Sequence, residues 1–108
     1  MPKTIVYING KLVPINDATV SFSDGGFQFG DGLFETIRFQ NGNLFSAKNH
    51  LQRLRNGLKS LDLKLEKSNT ELIQILQNLI YKNHIDSGLL RLMITRGEIS
   101  GIPWNHTG

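Results

Sequence analysis

The sequence predicts an α+β fold: a largely antiparallel sheet with two helices packed on one face. Three observations carry that prediction. Asn9-Gly10 and Asn41-Gly42 each separate two short extended runs, which is the pattern of a two-residue hairpin. Between Ser46 and Asn83 the apolar repeat lengthens from two residues to three or four, the period of a helix. After Gly88 the alternation returns in "LLRLMIT". Strands, then two helices, then a strand is not the strict strand-helix alternation that builds a parallel sheet.

The elements follow in order. Ile5 to Ile8 reads as a strand, and Lys11 to Val13 returns beside it. Pro14 ends the return because it has no amide hydrogen for the ladder. Thr19 to Phe22 suggests a further short extended piece. Next comes "SDGGFQFGDGLFETIRF", which places four of the chain's 11 glycines within Gly25 to Gly32. So much backbone freedom before a strand marks a tight bend or a close approach. Within Phe34 to Phe39, a period of two puts Phe34 with Thr36 and Arg38, and Glu35 with Ile37 and Phe39. A carboxylate on the apolar side is either buried and paired or lies at an exposed edge. "QNGN" then turns the chain, and Leu44-Phe45 comes back.

Leu51, Leu54, Leu58 and Leu61 form one face of the first helix, with Ser46 as its expected cap. Gly57 inside it costs about 1 kcal/mol against alanine, so a close packing contact is expected there. "SNTE", Ser68 to Glu71, is a capping box in front of Leu72, Ile75, Leu76, Leu79 and Ile80, and that helix runs to about Asn83. In the last strand Leu90, Leu92 and Ile94 face one way; Leu89, Arg91, Met93 and Thr95 face the other. The closing "GEISGIPWNHTG" has no period, and it holds the only tryptophan, Trp104. It reads as a cut inside a longer protein.

Bulk properties narrow the function. A chain of 108 residues fits one domain. Its net charge of +3 is spread along the sequence, without the clustered basic and aromatic residues of a nucleic-acid surface. There is no cysteine, which excludes disulfides, thiolate zinc sites and cysteine nucleophiles. No signal peptide or bilayer-length apolar run is present, so the expected setting is the reduced cytoplasm. The Asn105-His106-Thr107 sequon is accordingly read as chance. His50, His84 and His106 lack metal-ligand spacing, and no glycine-rich phosphate loop or nucleophile elbow occurs. Arg53 lies about 120° from the centre of the leucine stripe and His50 about 60°. His50 suits a half-buried packing role. Arg53 is either a solvated flank residue or, with Arg91 and Arg96, part of an anion site, since arginine forks match phosphate and carboxylate.

"INGKLVP", "SFSDGGFQFGDGLFETIRFQNGNLF", "HLQRLRNGL" and "LLRLMITRG", in this order between Tyr7 and Gly97, resemble the N-terminal domain of the class IV (fold-type IV) pyridoxal-phosphate-dependent aminotransferases. That family includes branched-chain and D-amino acid aminotransferases and 4-amino-4-deoxychorismate lyase. The resemblance implies that Arg53 of "HLQRL" holds the phosphate of pyridoxal 5'-phosphate, and that Phe34 and Arg38 line a substrate pocket. It further implies that Arg96 of "ITRG" lies toward the substrate carboxylate. It makes residues 1–108 the small N-terminal domain of a homodimeric enzyme acting on an amino acid and a 2-oxo acid. The Schiff-base lysine of the family belongs to a second, larger domain, and none of the seven lysines here sits in a matching motif. The 108 residues alone are therefore expected to be inactive. An arginine-glycine pair that follows "TRG" in several relatives is absent, which leaves the substrate open. The alternatives are the lyase and a non-catalytic binding domain of the same fold; the sequence after Gly108 separates the last from an enzyme.

Overall fold

Both Asn-Gly pairs form hairpin turns because both residues of each take positive φ: 49° and 87° at Asn9 and Gly10, 52° and 77° at Asn41 and Gly42. That geometry matches the natural twist of the strands it joins. A computed structural model of the chain describes residues 4–98. The unpatterned tail beyond them, with Trp104 and the Asn105 sequon, lies outside the described residues.

The first turn joins β1 (Ile5–Ile8) to β2 (Lys11–Pro14). The second joins β3 (Gly32–Gln40) to β4 (Asn43–Leu44). β5 (Gly88–Thr95) pairs antiparallel along nearly the whole of β3, from Gly32 opposite Thr95 to Phe39 opposite Gly88. The pairing is antiparallel throughout, as expected, but it forms two sheets: β1-β2, and β4-β3-β5. Asn83 joins the two-stranded sheet to the helices. Its Nδ2 donates to the Ile5 carbonyl at 2.9 Å, and the Ile5 amide donates to its Oδ1 at 2.8 Å, so a side chain completes the edge of β1.

The long helices are α2 (Ala47–Ser60) and α3 (Asn69–Asn83). Leu51, Leu54 and Leu58 of α2 are buried, and with Leu72 of α3 they pack on Leu33, Leu92 and Ile94 of the three-stranded sheet. One face of that sheet is thus the core and the other is open. The capping box at α3 is complete: Ser68 Oγ accepts from the Glu71 amide at 3.1 Å, and Glu71 Oε1 accepts from the Ser68 amide at 3.0 Å. Ser46 occupies the N-cap position of α2 but in left-handed backbone, φ 53°, and its side chain caps nothing. Leu61 falls just past α2, at its C-cap. Arg55 secures the α2–α3 connection by donating to Asn69 Oδ1 at 2.9 Å, to the Leu65 carbonyl at 3.0 Å and to the Lys67 carbonyl.

Two expectations are corrected. Thr19 to Phe22 forms no strand. The glycine-rich segment contains a third helix, α1 (Gly25–Phe29), rather than only a turn. Asp24 caps it by accepting from the Phe27 amide at 3.1 Å, and Gly30 ends it at φ 65°. Five residues are too few for an apolar period to reveal.

The close contact expected at Gly57 is present: a Cβ there would lie 2.5 Å from Leu33 Cδ1. Gly32 is tighter in kind, because its Cβ would meet the Ile94 backbone oxygen at 2.6 Å. A leucine tip can rotate aside, whereas a ladder carbonyl moves only with its strand. Gly32→Ala is therefore expected to cost about 1–3 kcal/mol in urea unfolding, and Gly57→Ala, offset by gained helix propensity, less than about 1 kcal/mol.

The Glu71 pKa lies below its ordinary 4.5, chiefly because the backbone and hydroxyl of Ser68 bond its carboxylate. A depressed acid contributes stability that is present above its unfolded pKa and is lost as pH falls through the folded value. Acidification below 4.5 should therefore lower amide protection, taken relative to the intrinsic exchange rate at each pH, in the first turn of α3, and Glu71→Gln should remove that pH dependence.

Candidate functional site

Strand β3 sorts the candidate residues by parity. Glu35, Ile37 and Phe39 face the helices and are buried, whereas Phe34 and Arg38 face outward and are exposed. Glu35 is 8% exposed, so the buried alternative applies. Its partners both come from α2. His50 Nδ1 lies 2.8 Å from Glu35 Oε1, and Arg53 Nε lies 3.6 Å from Oε2. The spacing of three residues puts His50 and Arg53 one above the other on the helix, so one carboxylate reaches both. With the carboxylate accepting, the His50 ring carries its proton on Nδ1 and leaves Nε2 for another partner.

Arg53 is ion-paired at one edge and open at the other. Its side chain is 77% exposed, and among the described residues its terminal nitrogens make no hydrogen bond. Two parallel donors on a rigid plane are what a phosphate accepts best. The open edge of Arg53 therefore fits a phosphate group.

The outer face has a different chemistry. Phe34 stands opposite Met93, Thr36 opposite Arg91, and Arg38 opposite Leu89. The Arg91 guanidinium lies 4.8 Å from the centre of the Phe34 ring, and that of Arg38 lies 5.5 Å from the Phe45 ring. Such stacking is worth about 0.5–1 kcal/mol at exposed positions and spreads the arginine forks over the rings. Phe34, Leu89 and Met93 are all more than half exposed. Among the described residues neither Arg38 nor Arg91 is paired with a carboxylate.

The glycine-rich segment serves the end of β5. The Gly25 amide donates to the Gly97 carbonyl at 2.7 Å, and Thr95 Oγ1 donates to Asp24 Oδ1 at 2.7 Å. A Cβ on Gly26 would sit 2.4 Å from Thr95 Cγ2, so α1 reaches the strand only without one. Arg96 completes the junction. Its guanidinium donates to both oxygens of Asp31 and, at 2.7 Å, to the Leu61 carbonyl, while its amide donates to the Asp31 carbonyl at 3.1 Å. The bond to Asp31 raises the Arg96 pKa above its ordinary value, so its charge is permanent and already partnered.

Three arginines that spacing could not bring together thus have separate partners: Arg53 meets Glu35, Arg91 lies on Phe34, and Arg96 binds Asp31. Sequence reasoning left His50 as packing and missed its bond to Glu35. The available signal was the pair of polar residues three apart on α2 beside a carboxylate of apolar parity on β3. Among the described residues no group of three or more acidic, histidine or cysteine side chains could hold a metal ion, and no helix is long and apolar enough to cross a membrane.

Comparison with known proteins places the chain in a family. The profile of Amino-transferase class IV matches residues 32–103. A D-alanine aminotransferase of Listeria monocytogenes is 40% identical over 101 residues, covering 94% of this chain and 34% of the relative. Among solved structures, the branched-chain amino acid aminotransferase of Escherichia coli superposes with a TM-score of 0.84 at 26% identity, over 92% of this chain and 34% of that one. A candidate 4-amino-4-deoxychorismate lyase from Legionella pneumophila superposes at 0.76 with 28% identity, over 80% and 32%. The chain spans about a third of the length of the relatives it matches.

Asp24 is the buried acid of the α1–β5 junction. Asp24→Ala removes the cap and leaves Thr95 Oγ1 without its acceptor. The expected result is a loss of about 1–2 kcal/mol in thermal unfolding, with faster amide exchange at Phe27.

Proposed function

The chain belongs to the class IV aminotransferase family, and from that premise we propose that it is the small N-terminal domain of a pyridoxal-phosphate-dependent enzyme that moves an amino group between an amino acid and a 2-oxo acid. A larger C-terminal domain supplies the cofactor-bearing lysine and the carboxylate that faces the ring nitrogen. The enzyme works as a homodimer in the cytoplasm. The observation that carries the reading is Arg53: a guanidinium held at one edge by buried Glu35 and open at the other, on the first long helix of a family-matched domain.

The chemistry that pyridoxal phosphate supplies when bound is an electron sink at the carbon carrying the amino group. This domain contributes position and charge. Arg53 binds the phosphate dianion with two parallel donors and fixes the cofactor while chemistry proceeds at the other end of the ring. Phe34 and Arg38, outward on β3, form a wall for the substrate: the ring excludes water from its apolar part, and the unpaired guanidinium attracts its carboxylate. Arg96 follows Thr95 at the Gly32 end of β3, away from Arg38, and must release Asp31 to bind a substrate carboxylate directly. As it stands, it holds the junction that starts β3.

The D-amino acid substrate class draws support from the 40% identity to a D-alanine aminotransferase, and the branched-chain class from the structural likeness at 26%. The lyase reading, elimination of pyruvate from 4-amino-4-deoxychorismate, has the Legionella neighbour in its favour. Assays of the polypeptide extended beyond Gly108 decide among them: D-alanine or a branched-chain amino acid with 2-oxoglutarate, against 4-amino-4-deoxychorismate alone. Arg53→Ala is expected to weaken pyridoxal phosphate binding roughly 10- to 100-fold, the scale of one or two charge-assisted bonds. Retention equal to that of the parent protein would remove the basis of the assignment.

A further inference from the structure

We propose that Glu35 and His50 are positioning residues for Arg53, a buried carboxylate and its imidazole partner that hold the guanidinium by its Nε edge and leave its terminal nitrogens for phosphate. The inference rests on the reading of Arg53 as the phosphate-binding residue. An arginine on an exposed helix flank has four rotatable bonds and, if unsupported, would spread its charge over many directions. Glu35 counters this because it is itself fixed. It sits on the central strand, 8% exposed, between Leu33 and Ile37 on the core-facing side. One oxygen is taken by His50 Nδ1 at 2.8 Å, which leaves the other facing Arg53 Nε at 3.6 Å. His50 precedes Arg53 by less than one helical turn, so both partners ride on the same rigid element, α2.

Stability alone does not account for an acid at this position. Burying a carboxylate is costly, and an apolar residue of similar size would suit a face that already carries Leu33, Ile37 and Phe39. Nor is Arg53 buried in a way that demands a counter-charge, at 77% exposure. An acid that opposes attraction of a dianion, yet is held beside the arginine meant to bind it, is accounted for by orientation. The arginine gives up one edge and presents the other in a single direction.

The test measures dissociation constants of pyridoxal 5'-phosphate and of pyridoxal, which lacks the phosphate, on the polypeptide extended beyond Gly108, with circular dichroism to verify folding. Glu35→Gln and His50→Ala are compared with Arg53→Ala. Glu35→Gln is expected to weaken pyridoxal phosphate about tenfold while changing pyridoxal less than about twofold, because only the phosphate contact is disturbed. His50→Ala should shift the same ratio in the same direction, and it decides the matter if Glu35→Gln does not fold. Equal weakening of both ligands, or of neither, overturns the positioning role. If Arg53→Ala abolishes the preference for the phosphorylated ligand but Glu35→Gln and His50→Ala do not, only this inference fails. If Arg53→Ala leaves the preference intact, the phosphate assignment fails and the inference with it.

Discussion

The seam between β3 and α2 is the constraint on which the other features depend. A strand of period two lies against a helix of period 3.6, and they match along one line only: the core-facing residues of β3 against the leucines of α2. The helix comes close because Gly57 offers no Cβ to Leu33. Once that approach is made, Glu35 is left only 8% exposed, and its partners come from the helix side. His50 and Arg53 are within reach because they share the flank of α2 next to the leucine stripe. The packing of α2 on β3 thus brings His50 and Arg53 to the Glu35 carboxylate.

The same strand leaves its other side open. Phe34, Arg38, Leu89, Arg91 and Met93 present aromatic, apolar and cationic groups together, with arginine forks spread over the Phe34 and Phe45 rings. Exposed apolar groups grouped in this way mark a surface that meets something else. The relatives that the chain matches are about three times its length.

Much of this was legible from local chemistry. Asn9-Gly10 and Asn41-Gly42 specify their turns because glycine and asparagine tolerate positive φ, and Ser68 with Glu71 specifies the start of α3 through two reciprocal bonds. One local signal misled and another was incomplete. Ser46 looked like a cap, yet its left-handed backbone turns the hydroxyl away from the free amides. The glycines of residues 25–32 point to a tight bend or a close approach; the approach to Thr95 and Ile94 is present, but Asp24 also caps a short helix there that the glycines did not reveal.

By itself the sequence determined what depends on neighbours along the chain: strand and helix periods, the hairpin turns, the α3 capping box, the parity of Glu35 and Phe34, and the motifs that resemble a known family. The tertiary structure alone decided which long-range partners those side chains meet. It put Glu35 between His50 and Arg53, committed Arg96 to Asp31 and Leu61, laid Arg91 over Phe34, and split the strands into two sheets. The physical reason is that periodicity sets the direction in which a side chain leaves the backbone. The group it meets there belongs to a segment brought in by packing, at a sequence distance that no local pattern encodes.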